Sequence, residues 1–194
     1  MPKIEVNEQL FYSLVGRRWK TRDEFEEALT CAKAELDEDS DKSLPEAERT
    51  LKIELNDTNR PDLWSTAGAA RQLRIHSGGK RPDYPFFSAP GAVKESGAYR
   101  VVVDPALKDI RPYIAAFVVS GAAMDDARLK DVIQTQEKLC WNYGRKRRSI
   151  AMGIYRTSLI KWPVRYLAAD PDATAFVPLG LEEKLSLRQI NEKH

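Results

Sequence analysis

Leu51, Ile53 and Leu55 alternate with Lys52, Glu54 and Asn56, the period-two pattern of a half-buried strand. A polar turn follows, in which Asp57, Thr58 and Asn59 can satisfy free backbone N–H groups and Pro61 supplies the φ suited to a first helical turn. Leu63, Ala67, Ala70 and Leu73 then fall on one face of a predicted helix. Upstream, Lys3–Val6 reads as a short strand. Asn7 is placed to cap a helix that buries Leu10, Phe11, Leu14 and Val15, and Gly16 ends it. Thr21 and Glu24 match a capping box ahead of a second helix carrying Phe25, Ala28, Leu29 and Ala32. Glu35–Glu48 is acidic, contains Pro45 and offers few core residues, so it is expected as a loop and the best candidate for disorder.

The second half is patterned less sharply. Tyr99–Val103 and Tyr113–Ser120 read as strands, the latter apolar on both faces and so expected at the centre of a sheet. Asp125 and Asp126 can cap a helix from about Ala127, with Leu129, Val132, Ile133, Gln136, Leu139, Cys140 and Tyr143 as its apolar stripe. Ile150–Tyr155 and Val164–Ala168 are further strand candidates, and Ser186 with Gln189 fits the start of a final short helix. The expected fold class is α+β. A mixed helix and strand module spans 1–80, a proline and aromatic linker spans 81–90, and an incomplete sheet-and-helix module spans 91–194.

Composition adds limits. The longest apolar run, Ile114–Val119, is strand-sized, and the N-terminus lacks a basic segment leading into an apolar core, so a cytoplasmic protein without a membrane span is expected. Cys31 and Cys140 lack metal-ligand spacing and sit at helical apolar positions, where buried free thiols are expected. Net charge is only +2, but its distribution is uneven. Acids concentrate between Asp23 and Glu54, while Arg71, Arg74, Lys80 and Arg81 form one basic patch and Arg145, Lys146, Arg147 and Arg148 a denser one.

No catalytic constellation is visible. His76 and His194 lie at a helix end and at the last position, and Ser65 and Ser96 have no neighbouring histidine in sequence. Gly78-Gly79-Lys80 lacks the leading glycine and the following Ser or Thr of a phosphate loop, which leaves ATP binding unsupported. For Arg145–Arg148 two readings stay open. The cations can cap a helix C-terminus, or they can contact RNA phosphates with Trp141 and Tyr143 available for stacking.

Asn59-Arg60-Pro61-Asp62-Leu63 followed by Gly68-Ala69-Ala70-Arg71 resembles a junction in the β subunit of phenylalanyl-tRNA synthetase, archaeal and eukaryotic type. Four more segments are similar, in the family's order: Met1-Pro2-Lys3-Ile4; Arg111-Pro112-Tyr113; Gln136–Leu139 through Arg145–Arg148 to Ala151-Met152-Gly153-Ile154; and Phe176–Gly180. The resemblance implies an α2β2 enzyme that attaches phenylalanine to its tRNA with ATP and magnesium, and whose β subunit also removes mischarged tyrosine. It also implies an N-terminal module to about Lys80, the start of an editing module from about Pro90, and no cofactor held by this stretch. Asn59–Asp62 would then be architecture.

The chain departs from that pattern at Tyr155-Arg156-Thr157-Ser158, and the family's editing module continues well past position 194, so no catalytic residue is carried over. A leading portion of a longer subunit is expected, inactive by itself in charging and editing, its second module less compact than the first. Rival readings are a free-standing RNA-binding or trans-editing factor built on the basic clusters, and a scaffold that docks Tyr84, Phe86 and Phe87 on a partner.

Overall fold

The computed structural model describes residues 3–56, 59–84, 97–121 and 123–193. Contacts divide the chain into two units, Met1–Ala92 with Gly121–Ile154 and Val93–Ser120 with Tyr155–His194. Chain order alone groups 91–194 together; contacts return 121–154 to the first unit.

The first unit is built on an antiparallel sheet in which β3 (Thr50–Leu55) lies between β1 (Lys3–Asn7) and β2 (Ala34–Glu38). Ile53 pairs with Ile4 on one side and Leu36 on the other, so the alternation puts Leu51, Ile53 and Leu55 on a single buried face. Helices α1 (Glu8–Val15), α2 (Arg22–Leu29) and α3 (Thr66–His76) contribute Phe11, Val15, Phe25, Leu29, Ala69, Ala70 and Leu73 to the same core. Asn7 caps α1 by accepting from Leu10 N–H at 2.9 Å, and Gly16 ends it at φ 82°. Thr21 accepts from Glu24 N–H, while Glu24 reaches back to Lys20 N–H, one residue beyond the usual capping-box partner.

β2 corrects the expectation of a loop at 35–48. Its inward Ala34 is buried and Leu36 packs on the core, while its acids find partners: Lys3 meets Asp37 at 2.8 Å and Asn56 donates to Glu35 at 2.6 Å. Pairing with β3 outweighs the weak strand propensity of an acidic segment. The loop beyond is also ordered, because buried Ser40 donates to the buried Glu8 carboxylate at 2.8 Å and Lys42 reaches the same carboxylate at 3.0 Å.

Pro61 does not open α3. Pro61–Leu63 forms one 3-10 turn, and Ser65 starts the helix by accepting from Gly68 N–H at 3.0 Å. The buried face becomes Thr66, Ala69, Ala70 and Leu73, leaving Ala67 exposed. Asp57 and Thr58 lie outside the described residues. At the other end Gly78 at φ 83° donates to Ile75 O and Gly79 to Arg74 O, the paired bonds of a Schellman turn.

Helix α4 (Asp126–Lys138), capped by Asp125, buries none of its residues. The expected apolar stripe is covered only in part: Cys140 is buried beyond the helix end and Val132, Gln136 and Leu139 are half-buried, while Leu129 and Ile133 stay exposed. Polar side chains hold the helix instead. The Gln134 amide accepts from Glu5 N–H at 2.7 Å and donates to Glu5 C=O at 2.9 Å, completing the free edge of β1, and Asp131 accepts from Thr66 N–H at 3.0 Å.

The second unit holds two small sheets. β4 (Val101–Val103) pairs in parallel with β5 (Val164–Tyr166), and β6 (Ala175–Phe176) pairs antiparallel with β7 (Leu185–Ser186). Ser186 and Gln189 exchange bonds at the start of α5 (Leu187–Lys193), as expected. Tyr113–Ser120 is not a strand, which corrects the central-strand expectation, and Tyr113 and Phe117 are 91% and 84% exposed. Ile150–Tyr155 is likewise unpaired. Strand-like composition needs a partner strand to become a strand, and none of the described ones is hydrogen-bonded to either segment.

Candidate functional site

The end of α4 builds the most distinctive surface of the first unit. The helix widens into a π-type turn, Leu139–Tyr143, and then reverses through Gly144 into Arg145, Lys146 and Arg147 at φ 51°, 56° and 67°. Three consecutive left-handed residues with side chains cost about 1–2 kcal/mol each. The surrounding bonds hold them there. Gly144 N–H donates to Leu139 O at 2.7 Å, Lys146 N–H to Trp141 O and Arg147 N–H to Cys140 O at 2.8 Å, and Ser149 N–H to Gly144 O at 2.9 Å. A side chain on Gly144 would overlap the carbonyls of Ile150 and Cys140. Buried Cys140 accepts from Met152 N–H through its sulfur at 3.1 Å, fastening the segment that returns from the turn.

This geometry bears on the two readings of the basic run. The carbonyls of the last helical turn are already taken by backbone N–H groups, so the cations are not needed to cap them. Arg145, Lys146, Arg147 and Arg148 are all exposed, on a backbone fixed by strain and hydrogen bonds. Lys146 Nζ stands 5.4 Å from the centre of the Trp141 ring, itself exposed. Tyr143, which its spacing put on the apolar stripe and the second reading made available for stacking, is 57% exposed. The arrangement can meet a chain of phosphates and offer aromatic faces beside it.

Within the Asn59–Asp62 segment the charged side chains pair locally. Arg60 binds Asp62 through two bonds, 2.8 and 2.9 Å, and Arg71 adds a third at 3.3 Å. The Arg60 hydrogen bonds hold the Asp62 carboxyl below the usual carboxylate range. A side chain at Gly68 would overlap the Asp62 carbonyl, so the glycine lets α3 start directly against the turn.

The remaining chemistry-bearing residues are accounted for locally. Ser65 Oγ is engaged as the α3 cap and His76 is exposed at that helix's end. Both cysteines are free: Cys140 is buried and Cys31 half-buried, with burial raising the Cys31 thiol. Among the described residues no group of three or more His, Cys, Asp or Glu is placed to hold a metal ion, and no helix is long and apolar enough to cross a membrane. Ser96, Phe86, Phe87 and His194 lie outside the described residues.

The left-handed run and the Gln134 clasp were not foreseeable from spacing. The Ser65 cap was, since Ser65 stands three residues before Gly68, but Pro61 gave the louder signal.

Comparisons place this arrangement among known proteins. No family model matches the chain. All of it aligns at 45% identity with 33% of a phenylalanine–tRNA ligase beta subunit from Borreliella burgdorferi (strain ZS7). It aligns at 42% identity with 38% of the same-named protein of Treponema pallidum. Among solved structures, an N-terminal fragment of the phenylalanyl-tRNA synthetase beta subunit from Pyrococcus horikoshii matches with a TM-score of 0.84 and 38% identity, over 100% of this chain and 52% of that one. The chain thus spans about a third of the length of the curated relatives it matches.

Proposed function

The chain matches the N-terminal portion of phenylalanine–tRNA ligase beta subunits over its whole length, and we propose that it serves as that portion of such a ligase, of the archaeal and eukaryotic type. The whole-length match carries the reading, and the 38% identity with the Pyrococcus fragment supports the type. In the full enzyme it assembles with an alpha subunit and works beside the proofreading of mischarged tRNA. Its role is positioning, with the Arg145–Arg148 turn meeting tRNA phosphates. On this reading ATP and magnesium serve other parts of that enzyme.

Two experiments test this. The chain should be captured by the alpha subunit from the same source and show no aminoacylation without it; failure of capture, or charging by the chain alone, would overturn the assignment. For the turn, Arg145→Asn, Lys146→Asn and Arg147→Asn together remove charge while keeping a residue that tolerates the left-handed backbone. The slope of log affinity for tRNA against log salt should shrink by about 2. An unchanged slope would mean the turn does not touch RNA.

A further inference from the structure

The Schellman turn at Gly78 and Gly79 has a second result besides ending α3. The segment that follows it shares with the helix an open cleft of about 430 Å³, lined by Arg71 and Ile75, Arg81 and Tyr84, and Arg60 and Asp62. Gly78 supplies the left-handed φ, and a side chain on Gly79 would lie 2.6 Å from Arg74 Cγ and 2.7 Å from its carbonyl. The volume suits a small ligand or a single nucleotide.

The charges of the cleft do not balance. Asp62 is matched by the two-pronged Arg60 contact, which leaves Arg71 and Arg81 as surplus. Arg71 touches Asp62 through one terminal nitrogen only, so its guanidinium is oriented while most of its donors remain available. Among the described residues Arg81 has no acidic partner. Two arginines present donors suited to phosphate oxygens, and Tyr84 and Ile75 add an aromatic and an aliphatic surface to the same walls.

We infer that this cleft binds one nucleotide of single-stranded RNA, Arg71 and Arg81 holding its phosphate and Tyr84 with Ile75 supporting its base. The inference rests on the RNA-positioning role proposed above and adds a second contact remote in sequence from Arg145–Arg148. The two glycines shape the cleft and do not themselves cradle the phosphate. An acidic protein segment could satisfy the arginines but would make no use of the ring, so RNA is favoured.

The full 194-residue chain, with amides resolved by NMR, is titrated separately with inorganic phosphate, adenosine monophosphate, an adenosine trinucleotide and a tetra-aspartate peptide. The trinucleotide should saturate shifts at Arg71, Gln72 and Arg81. Arg71→Gln with Arg81→Gln should weaken it about tenfold or more with the melting temperature unchanged. Tighter binding of the trinucleotide than of the monophosphate identifies an RNA strand as the source; the reverse identifies a free nucleotide and overturns the RNA assignment. Absence of saturation, or equal binding of tetra-aspartate, overturns the nucleotide site. The Arg145–Arg147 asparagine variant should bind the trinucleotide normally. Loss of its tRNA salt response with no trinucleotide binding at the cleft would sink this inference alone and leave the turn in place.

Discussion

In the first unit Phe11, Leu29, Leu51 and Ile53 are sealed between one sheet and three helices, whereas in the second unit Tyr113, Phe117 and Leu159 stand in solvent. Among the described residues of the second unit, Leu107 and Leu185 are the buried hydrophobics. Apolar content does not separate the two, since Tyr113–Ser120 is among the most apolar stretches of the chain. What separates them is pairing. Each alternating strand of the first unit has a neighbour within that unit to fix its register, whereas the second unit pairs only short two- and three-residue strands among its described residues and leaves Tyr113–Ser120 without one.

The sharpest way to break this comparison is a large-to-small pair. Ile53→Ala, at a fully buried position, should lower stability by about 2–5 kcal/mol in urea unfolding, and Leu159→Ala in the second unit should stay within about 0.5 kcal/mol. Equal losses would mean the second unit is better packed than its exposures indicate. Glycine substitutions sharpen it further. Gly68→Ala forces the α3 start away from Asp62 and should cost about 1–3 kcal/mol, while Gly97→Ala in the second unit meets nothing within 4 Å and should be neutral or slightly stabilising.

Gln134→Leu probes how a helix without buried residues is retained. Losing two hydrogen bonds to β1 should cost about 1–2 kcal/mol, and hydrogen exchange at the Glu5 amide should rise more than at Ile53.

The smallest effects are electrostatic. Burial, with Glu8 adding to it, pushes the Tyr12 phenol up to about 12. Its share of the first unit's stability is therefore fully present below about pH 10 and is lost as pH rises through about 12. Asp62 works the other way. Its carboxyl is held low by Arg60, so its contribution is present above the ordinary carboxylate value and disappears as pH falls below about 4. Asp62→Asn should reduce the acid-side dependence by this share, leaving that of Asp41, which is also held low, and the alkaline one.

Legibility cut across the two units and depended on whether local pattern and tertiary contact agree. The strands β1 and β3, the Asn7, Thr21 and Ser186 caps and the α3 face near Leu73 were readable because local pattern and tertiary environment agree there. β2 was missed since its acids look like loop until Lys3 and Asn56 are placed beside them. Leu129 and Ile133 do share the expected apolar face but stay uncovered, because helical periodicity reports such a face without reporting whether anything packs on it. Of the candidate site, the four cations were plain in the sequence, but their left-handed backbone was not, as only glycine advertises positive φ and none of the three is glycine.

The clasp between Gln134 and Glu5 works as an indexing pin. One amide, seated on the N–H and C=O of one residue, fixes the rotational phase and the axial height of α4 together with the Asp131 contact, with no greasy seam along which the helix could slide. Shifting the pin by one position would swing the helix about 100° around its axis and re-aim everything its far end carries. The orientation of the Arg145–Arg148 turn is thus inherited from this carboxamide, with Asp131 on Thr66 N–H as the second anchor upstream.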